Sequence, residues 1–153
     1  MKNWSLLILS CAVLSLSLLG CTRRESKISG TIDILPELQA RLSPQAVLFI
    51  VARPVDQPSG PPALVKRFTQ PFSFPIQFEL TQQDAMIPDS GFSGKYTITA
   101  RIAQTGSATP LSKGDLEGKA HLQSIPVGSK NLQILLNTVS DPNSKAPSLF
   151  QHP

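Results

Sequence analysis

The 14 prolines of this 153-residue chain limit its fold more than any other sequence feature. All of them lie at or after Pro36. Proline has no backbone amide hydrogen and its ring clashes with the preceding helical turn, so this distribution argues against long helices there. Between the prolines lie short runs of β-branched, aliphatic and aromatic residues bounded by turn-forming residues, a pattern typical of an all-β domain.

Seven short segments have the composition of β-strands. In the clearest of them, Tyr96, Ile98 and Ile102 share one face while polar residues occupy the alternate positions. Residues 46–52 are apolar at every position, which predicts a central strand buried on both faces. The predicted strands cover residues 28–34, 46–52, 63–68, 76–80, 96–102, 120–125 and 132–136.

The segments between these strands contain turn signals and one short helical pattern. Residues 36–42 predict a helical turn with proline in its first turn. Thr81 and Asp84 have the spacing of a capping box, and two phenylalanines between prolines in residues 71–75 are suited to pin an extended segment into a core. Residues 111–118 predict a polar loop.

The arrangement predicts a two-sheet, Ig-like β-sandwich of about seven strands with one short helical turn near 36–42. A five-stranded barrel with extra strands is the alternative.

The N-terminus predicts export. Lys2 precedes an uncharged, apolar run from Trp4 to Leu19, which is shorter than the roughly 20 residues that span a bilayer as a helix. A short positive segment followed by such a run is typical of a secretory signal. The run ends in Leu-Leu-Gly-Cys at residues 18–21, which resembles the lipobox of bacterial lipoproteins, so lipidation is predicted at Cys21. An uncleaved N-terminal anchor with an idle Cys21 is the alternative.

These features predict four parts: a signal peptide at 1–20, a lipidated tether at 21–26, the β-sandwich at 27–138 and a flexible tail at 139–153. Acylation with two or more chains is sufficient for stable membrane anchoring. The resemblance to lipoproteins implies an envelope protein that faces the periplasm. Thr22 after the cysteine favours the outer membrane over the inner one. Cys11 lies in the removed segment, so no disulfide is predicted.

The charge and composition of the chain limit the classes of partner that it is predicted to bind. Without Lys2, 13 basic residues remain against 10 acidic ones, a net charge near +3, and they are scattered along the chain. The sequence has no stripe of basic residues with interleaved aromatics, so nucleic acid is not a predicted partner. We expect a monomeric domain without a cofactor.

Signals of catalysis are weak, and we expect no enzymatic activity. The chain has two histidines, His121 in a predicted strand and His152 in the tail. A metal site generally needs three or four ligands, so His121 would have to combine with Met86 and carboxylates, and an ordinary strand histidine is the simpler interpretation. Asp115 and Glu117 are the nearest carboxylate pair, and their glycine-flanked loop favours solvated turn residues over an acid and a base.

Six stretches, in this order and spacing, resemble the C-terminal periplasmic Ig-like domain of cytochrome c-type biogenesis protein H. The resemblance covers residues 27–137, and residues 99–118 are its most specific part. The stretches are residues 28–31 (ISGT), 47–54 (VLFIVARP), 61–67 (PPALVKR), 78–86 (FELTQQDAM), 99–110 (TARIAQTGSATP) and 114–118 (GDLEG).

The resemblance implies a binding module, since the whole protein of that family holds apocytochrome c and passes it to the haem-ligation machinery. In the family this domain follows transmembrane segments and tetratricopeptide repeats, and this sequence has neither. Six residues in the shared stretches are candidates for partner contact or for structural roles: Arg53, Asp84, Met86, Arg101, Asp115 and Glu117.

Three functions compete. The leading hypothesis is a lipid-anchored, non-catalytic module that binds apocytochrome c or another maturation component. The second is a structural or envelope-assembly lipoprotein that reuses the fold. The third is a small metal-binding periplasmic protein.

Overall fold

The computed structural model describes residues 26–88 and 90–142. The predicted signal peptide, Cys21 and the tail from residue 143 onward lie outside the described residues. Among the described residues, no helix has both the length and the apolar character needed to cross a bilayer.

Nine strands and two very short helices form the described part of the chain. The helices are α1 (Pro36–Gln39) and a 3-10 helix (Gln82–Asp84). The all-β class and the short helical turn are therefore confirmed, with more strands than the predicted seven. The strands are β1 (Ile28–Ile34), β2 (Val47–Pro54), β3 (Leu64–Thr69), β4 (Ile76–Leu80), β5 (Lys95–Ala103), β6 (Leu116–Lys119), β7 (Ile125–Pro126), β8 (Leu132–Leu136) and β9 (Thr138–Val139).

The strands form two sheets. One has the order β4-β1-β8, and the other has the order β3-β2-β5-β6-β9, with β7 paired to β5. β1 runs antiparallel to β4 and parallel to β8. The inner faces of the sheets enclose a single core, so the predicted two-sheet sandwich is confirmed.

Alternation along the strands builds this core. Ile28 and Ile32 of β1 are fully buried, and each such side chain stabilises the fold by about 1.5–3 kcal/mol relative to an exposed position. Phe72 and Phe74 are half-buried against the core, with ring centroids 6.0 Å apart in an edge-to-face arrangement, as their position between prolines predicted. The other strands contribute Leu48, Ile50, Phe78, Leu80, Ile98, Ile102, Leu116, Leu132, Ile134 and Leu136.

β2 is central, as predicted, because it lies between β3 and β5. The expected burial on both faces is wrong, since Phe49 and Val51 are only half-buried. Each sheet of a two-layer sandwich has one face turned away from the core, so a continuous apolar run does not require two covered faces. The predicted edge position of β3 is confirmed.

One side of the sandwich is closed by the chain crossing between sheets. β8 pairs with β1 in one sheet. β9, which follows β8 in the chain, pairs with β6 in the other sheet. A bridge between Ala120 and Ile134 further ties β6 to β8. Gly118 permits this approach, because a Cβ atom there would overlap the carbonyl oxygen of Leu135. The three strands β1, β8 and β6 therefore form a continuous surface.

The region around β6 and β7 differs from the prediction. The predicted polar loop at 111–118 includes most of β6, and the predicted strand at 120–125 contains only the Ala120 bridge and the start of β7. Buried Leu116 and Gly118 flank outward-facing Glu117. This alternation is too short, and too rich in glycine and charge, to stand out from a loop. His121 is exposed and lies outside any strand.

The folded chain continues past residue 138, since Val139 belongs to β9 and Ser140 is buried. The Ser140 amide donates a hydrogen bond to the Asp115 carbonyl at 2.7 Å, and its carbonyl accepts one from the Gly114 amide at 2.9 Å. The sequence predicts a tail from residue 139, because the polar composition there carries no sign that the chain pairs with β6, some 20 residues earlier.

Strand register defines two ends of the sandwich. The proximal end is the one at which β1 begins, where Leu80 lies opposite Ile28. β2 ends there and β5 begins, with Pro54 opposite Tyr96. The distal end is the one at which β1 ends, and it includes α1 and residues 104–115, the loop between β5 and β6.

Candidate binding site

Arg101 and Asp115 form an ion pair at the distal end. Asp115 is fully buried, and its Oδ2 accepts hydrogen bonds from Arg101 Nη2 at 2.6 Å and Nε at 3.2 Å. A buried carboxylate is tolerated only when it is paired and its lone pairs are hydrogen-bonded. The register of β5 and β6 brings the two residues together, with Ile102 opposite Leu116.

Further hydrogen bonds join this ion pair to residues 104–115, which we call the distal loop. We call the Arg101–Asp115 pair the clasp, because it holds that loop in place. Arg101 also donates to the carbonyls of Ala108 at 2.9 Å and Pro110 at 3.3 Å. Asp115 accepts from the backbone amides of Gln104 and Ser112, each at 2.9 Å. Both side chains are thus used to hold the loop between β5 and β6 in place.

Asp84 has a comparable local role near the proximal end. Its Oδ2 accepts a hydrogen bond from the Thr81 amide at 2.8 Å, while Thr81 Oγ1 accepts one from the Gln83 amide at 3.3 Å. The predicted capping box is therefore confirmed. Lys66 Nζ on β3 pairs with Asp84 at 3.2 Å, which ties the 3-10 helix to that strand.

Arg53 and Met86 also lie toward the proximal end. Arg53 is half-buried in β2, and its carbonyl accepts a hydrogen bond from Thr97 Oγ1 at 3.3 Å. The Met86 side chain is 58% exposed, while its amide donates to the Ala63 carbonyl at 2.9 Å. Five of the six candidate residues therefore lie toward the two ends of the domain, two at the distal end and three at the proximal end.

Glu117 lies in a different setting, an open groove on the outer surface where β1, β8 and β6 adjoin. We call this the outer groove, and its volume is about 950 Å³. Its lining includes Thr31, Asp33, Glu117, Lys119, His121, Gln133, Leu135 and Asn137.

The outer groove follows directly from the two-residue period of its strands. On β1, β6 and β8 the odd-numbered residues face outward, because the even-numbered ones are buried in the core. The polar face of β1 could be predicted from sequence, whereas β6 lies in a stretch whose sequence predicts a loop. The assembly of the three strands into one groove could not be predicted, because it depends on β8 lying beside both β1 and β6.

The chemistry of the outer groove suits a polypeptide ligand. Asp33 and Glu117 are acceptors, Lys119 is a donor, and Gln133 supplies both functions. Leu135 is 43% exposed and offers an apolar contact. Backbone groups of β1 are already paired to strands on both sides, so recognition here would use side chains.

Metal chemistry has no support in the described residues. Within residues 26–88 and 90–142, no three His, Cys, Asp or Glu side chains are close enough together to hold a metal ion. His121 lines the outer groove, whereas Met86 follows the 3-10 helix after β4. The combination of His121 with Met86 and carboxylates, which the sequence left open, therefore has no counterpart among these residues.

The sheet edge at β3 is partly covered. Leu64 forms a bridge with Ala85, and the Met86 amide binds the Ala63 carbonyl, so the first part of the strand already has a partner. β4 is the outermost strand of the smaller sheet. An extended peptide can add to such an edge, which makes the edge of β4 a second candidate surface.

Comparison with known proteins identifies the domain. Residues 28–137 match the family described as cytochrome c-type biogenesis protein H Ig-like domain. This chain belongs to that family. Its resemblance in sequence is therefore confirmed, and membership supports a non-catalytic binding module that acts in the cell envelope.

Two further proteins are similar to the chain. An uncharacterized protein of Aquifex aeolicus (strain VF5) is 26% identical over 122 residues, which cover 80% of this chain and 77% of that protein. A solved structure of an alternative pilotin from the type II secretion system of Vibrio cholerae is 16% identical, with a TM-score of 0.43, and covers 71% of this chain and 94% of that one. That score is too low to establish a shared fold or role.

Proposed function

We propose that this chain is a lipid-anchored, non-catalytic module of the bacterial envelope that holds an unfolded polypeptide, with apocytochrome c as its first candidate client. The family match carries this proposal, because it spans nearly all of the described domain. The domain would act by binding and presenting a client, since Asp84, Arg101 and Asp115 are engaged in structural ion pairs.

The outer groove is the surface that we assign to the client. It is open along its length, and its side chains combine hydrogen-bonding groups with an exposed leucine. An extended chain presents amides, carbonyls and alternating side chains, so such a mixed surface can contact both its backbone and its side chains. Asp33 and Glu117 favour clients that carry Lys or Arg nearby.

The anchor in this proposal is a lipid on Cys21. Its support is the sequence alone: a short basic start, an uncharged apolar run and the lipobox-like residues 18–21. Two or more acyl chains would hold the domain stably at a membrane. The outer membrane, with the domain on the periplasmic side, is the location that we propose.

Binding to the groove can be tested with fluorescence anisotropy of labelled apocytochrome c. Leu135→Ser should weaken binding by about tenfold or more, because it removes an apolar contact of roughly 1.5–3 kcal/mol and adds no charge to the groove. Leu111→Ser is the matched control, since Leu111 is similarly exposed, at 39%, but lies in the distal loop. Equal affinities for the two variants would remove the groove from the proposal.

Selectivity for the client is tested by a second binding measurement, which uses an unrelated unfolded protein of similar length and charge. Clearly tighter binding of apocytochrome c supports the cytochrome role. If the two clients bind equally, or neither binds, the role in cytochrome c maturation is wrong, and an envelope-assembly function becomes the better account.

A further inference from the structure

The two most exposed large apolar residues among those described lie toward the proximal end. Ile87 is 67% exposed and Met86 is 58% exposed, higher values than for any other large hydrophobic residue among those described. Val55, 40% exposed, follows the end of β2, and its amide donates to the Lys95 carbonyl at 3.1 Å. Exposure of large apolar side chains to water is unfavourable, and a group of them is a candidate for a surface that another phase or molecule covers.

These side chains are adjacent to the point where the chain enters the domain. Leu80 pairs with Ile28, the first residue of β1, and the 3-10 helix that leads to Met86 begins two residues after Leu80. The Gly128 amide binds the Lys27 carbonyl at 2.9 Å, which fixes the incoming chain against the same end.

The length of the incoming chain sets how far this end can be from a lipid. Cys21 and Ile28 are seven residues apart in sequence. A fully extended chain covers at most about 3.3–3.6 Å per residue, so the start of β1 lies within roughly 25 Å of an acylated Cys21. For the distal end this upper limit is greater by the length of β1, about 23 Å for its seven residues.

We infer that the proximal end rests on the bilayer that holds the anchor, with Met86 and Ile87 in the interfacial layer and Val55 beside them. This inference rests on the lipid anchor in the proposed function. Acidic Glu79 and Asp84 near this surface are paired with Lys27 and Lys66, which reduces their repulsion from anionic headgroups. The strands then run away from the membrane, and the outer groove remains open to the periplasm.

Tryptophan fluorescence in vesicles tests the inference. Trp4 is the single tryptophan of the chain, and it lies in the segment that would be removed, so each introduced tryptophan reports alone. Ile87→Trp and Leu111→Trp would be introduced separately into the full chain, processed in bacteria and reconstituted into vesicles of phosphatidylethanolamine and phosphatidylglycerol. Some vesicles would contain brominated lipid as a quencher.

The expected result is a blue-shifted emission for Ile87→Trp and quenching several-fold stronger than for Leu111→Trp. If the protein floats with the vesicles but neither variant is quenched, or both are quenched equally, the inference is wrong while the anchor stands. If the protein does not float with the vesicles, the anchor itself is wrong and the inference with it. A blue shift that requires added apocytochrome c instead of lipid would assign this surface to a protein and overturn the inference.

Discussion

The two ends of the sandwich use their surface residues in opposite ways. At the distal end, a buried carboxylate, a guanidinium and several backbone groups satisfy one another within the domain. At the proximal end, Met86 and Ile87 are mainly exposed to solvent. The distal end therefore satisfies its polar groups within the domain, whereas the proximal end leaves two large apolar side chains in water.

Gln104 shows how far the distal network extends. Its Oε1 accepts a hydrogen bond from the Ser43 amide at 2.8 Å, and its Nε2 donates to the carbonyls of Arg41 and Gly114, each at 3.3 Å. This side chain therefore joins the distal loop to residues 41–43, which lie some 60 residues earlier in the chain. Such an end is built for rigidity, and a binding role for it would require breaking these contacts.

Asp115→Ala should have the largest effect, because it leaves Arg101 without its buried partner. We expect a loss of about 3–5 kcal/mol in the free energy of unfolding, measured by urea titration. Asp141→Ala is the control: Asp141 pairs with Lys113 at 3.8 Å in an exposed setting, where about 1 kcal/mol or less is expected. Similar losses for the two variants would contradict the clasp.

Asp84→Ala should have an intermediate effect, because the capping box is local and partly exposed. The expected loss is about 1 kcal/mol, as for other helix caps. Gln83→Ala, on the exposed neighbouring position, should change the free energy of unfolding by less than about 0.5 kcal/mol. If Asp84→Ala were as damaging as Asp115→Ala, the two ends would not differ in the way described.

The double variant Met86→Ser and Ile87→Ser should leave the stability of the detergent-solubilised protein within about 0.5 kcal/mol of the wild type. Both side chains are mainly exposed, so the domain itself loses little packing. Thermal or urea unfolding gives the comparison. A loss of several kcal/mol would mean that these residues support the fold and do not form a free surface.

The smallest expected effect concerns pH. The hydrogen bond from Lys27, together with its charge, lowers the pKa of Glu79 below its ordinary value of 4.5. The folded state thus prefers the ionised carboxylate, so this pair stabilises the fold above about pH 4.5, and the contribution disappears as pH falls through the lowered pKa. Urea midpoints of wild type and Glu79→Gln should differ slightly near neutral pH and converge once the pH has fallen below the lowered pKa of Glu79. A difference that grows on acidification would contradict this sign.

Sequence predicted most of the fold because its strongest signals are local. The alternation in residues 28–34, 76–80, 96–102 and 132–136 corresponds to β1, β4, β5 and β8, with most of the apolar positions buried. The cap of the 3-10 helix was also visible, since Thr81 and Asp84 are three residues apart.

The candidate site was less predictable because it is made of long-range pairings. Arg101 and Asp115 were identified separately, yet their ion pair requires the register between β5 and β6, and β6 itself was hidden in a glycine-rich stretch. The outer groove requires β8 to lie parallel to β1 and beside β6, and the period of a strand carries no information about its neighbours.

Hydrogen–deuterium exchange of the lipid-processed protein, with and without apocytochrome c, tests the central claim most directly. We predict new protection in peptides that cover β1, β6 and β8, which line the outer groove. Exchange in the distal loop, residues 104–115, should be the same in both samples, because its contacts with Arg101 and Asp115 lie within the domain and away from the outer groove. Protection confined to residues 85–88, or no change at the groove strands despite binding, would contradict the account.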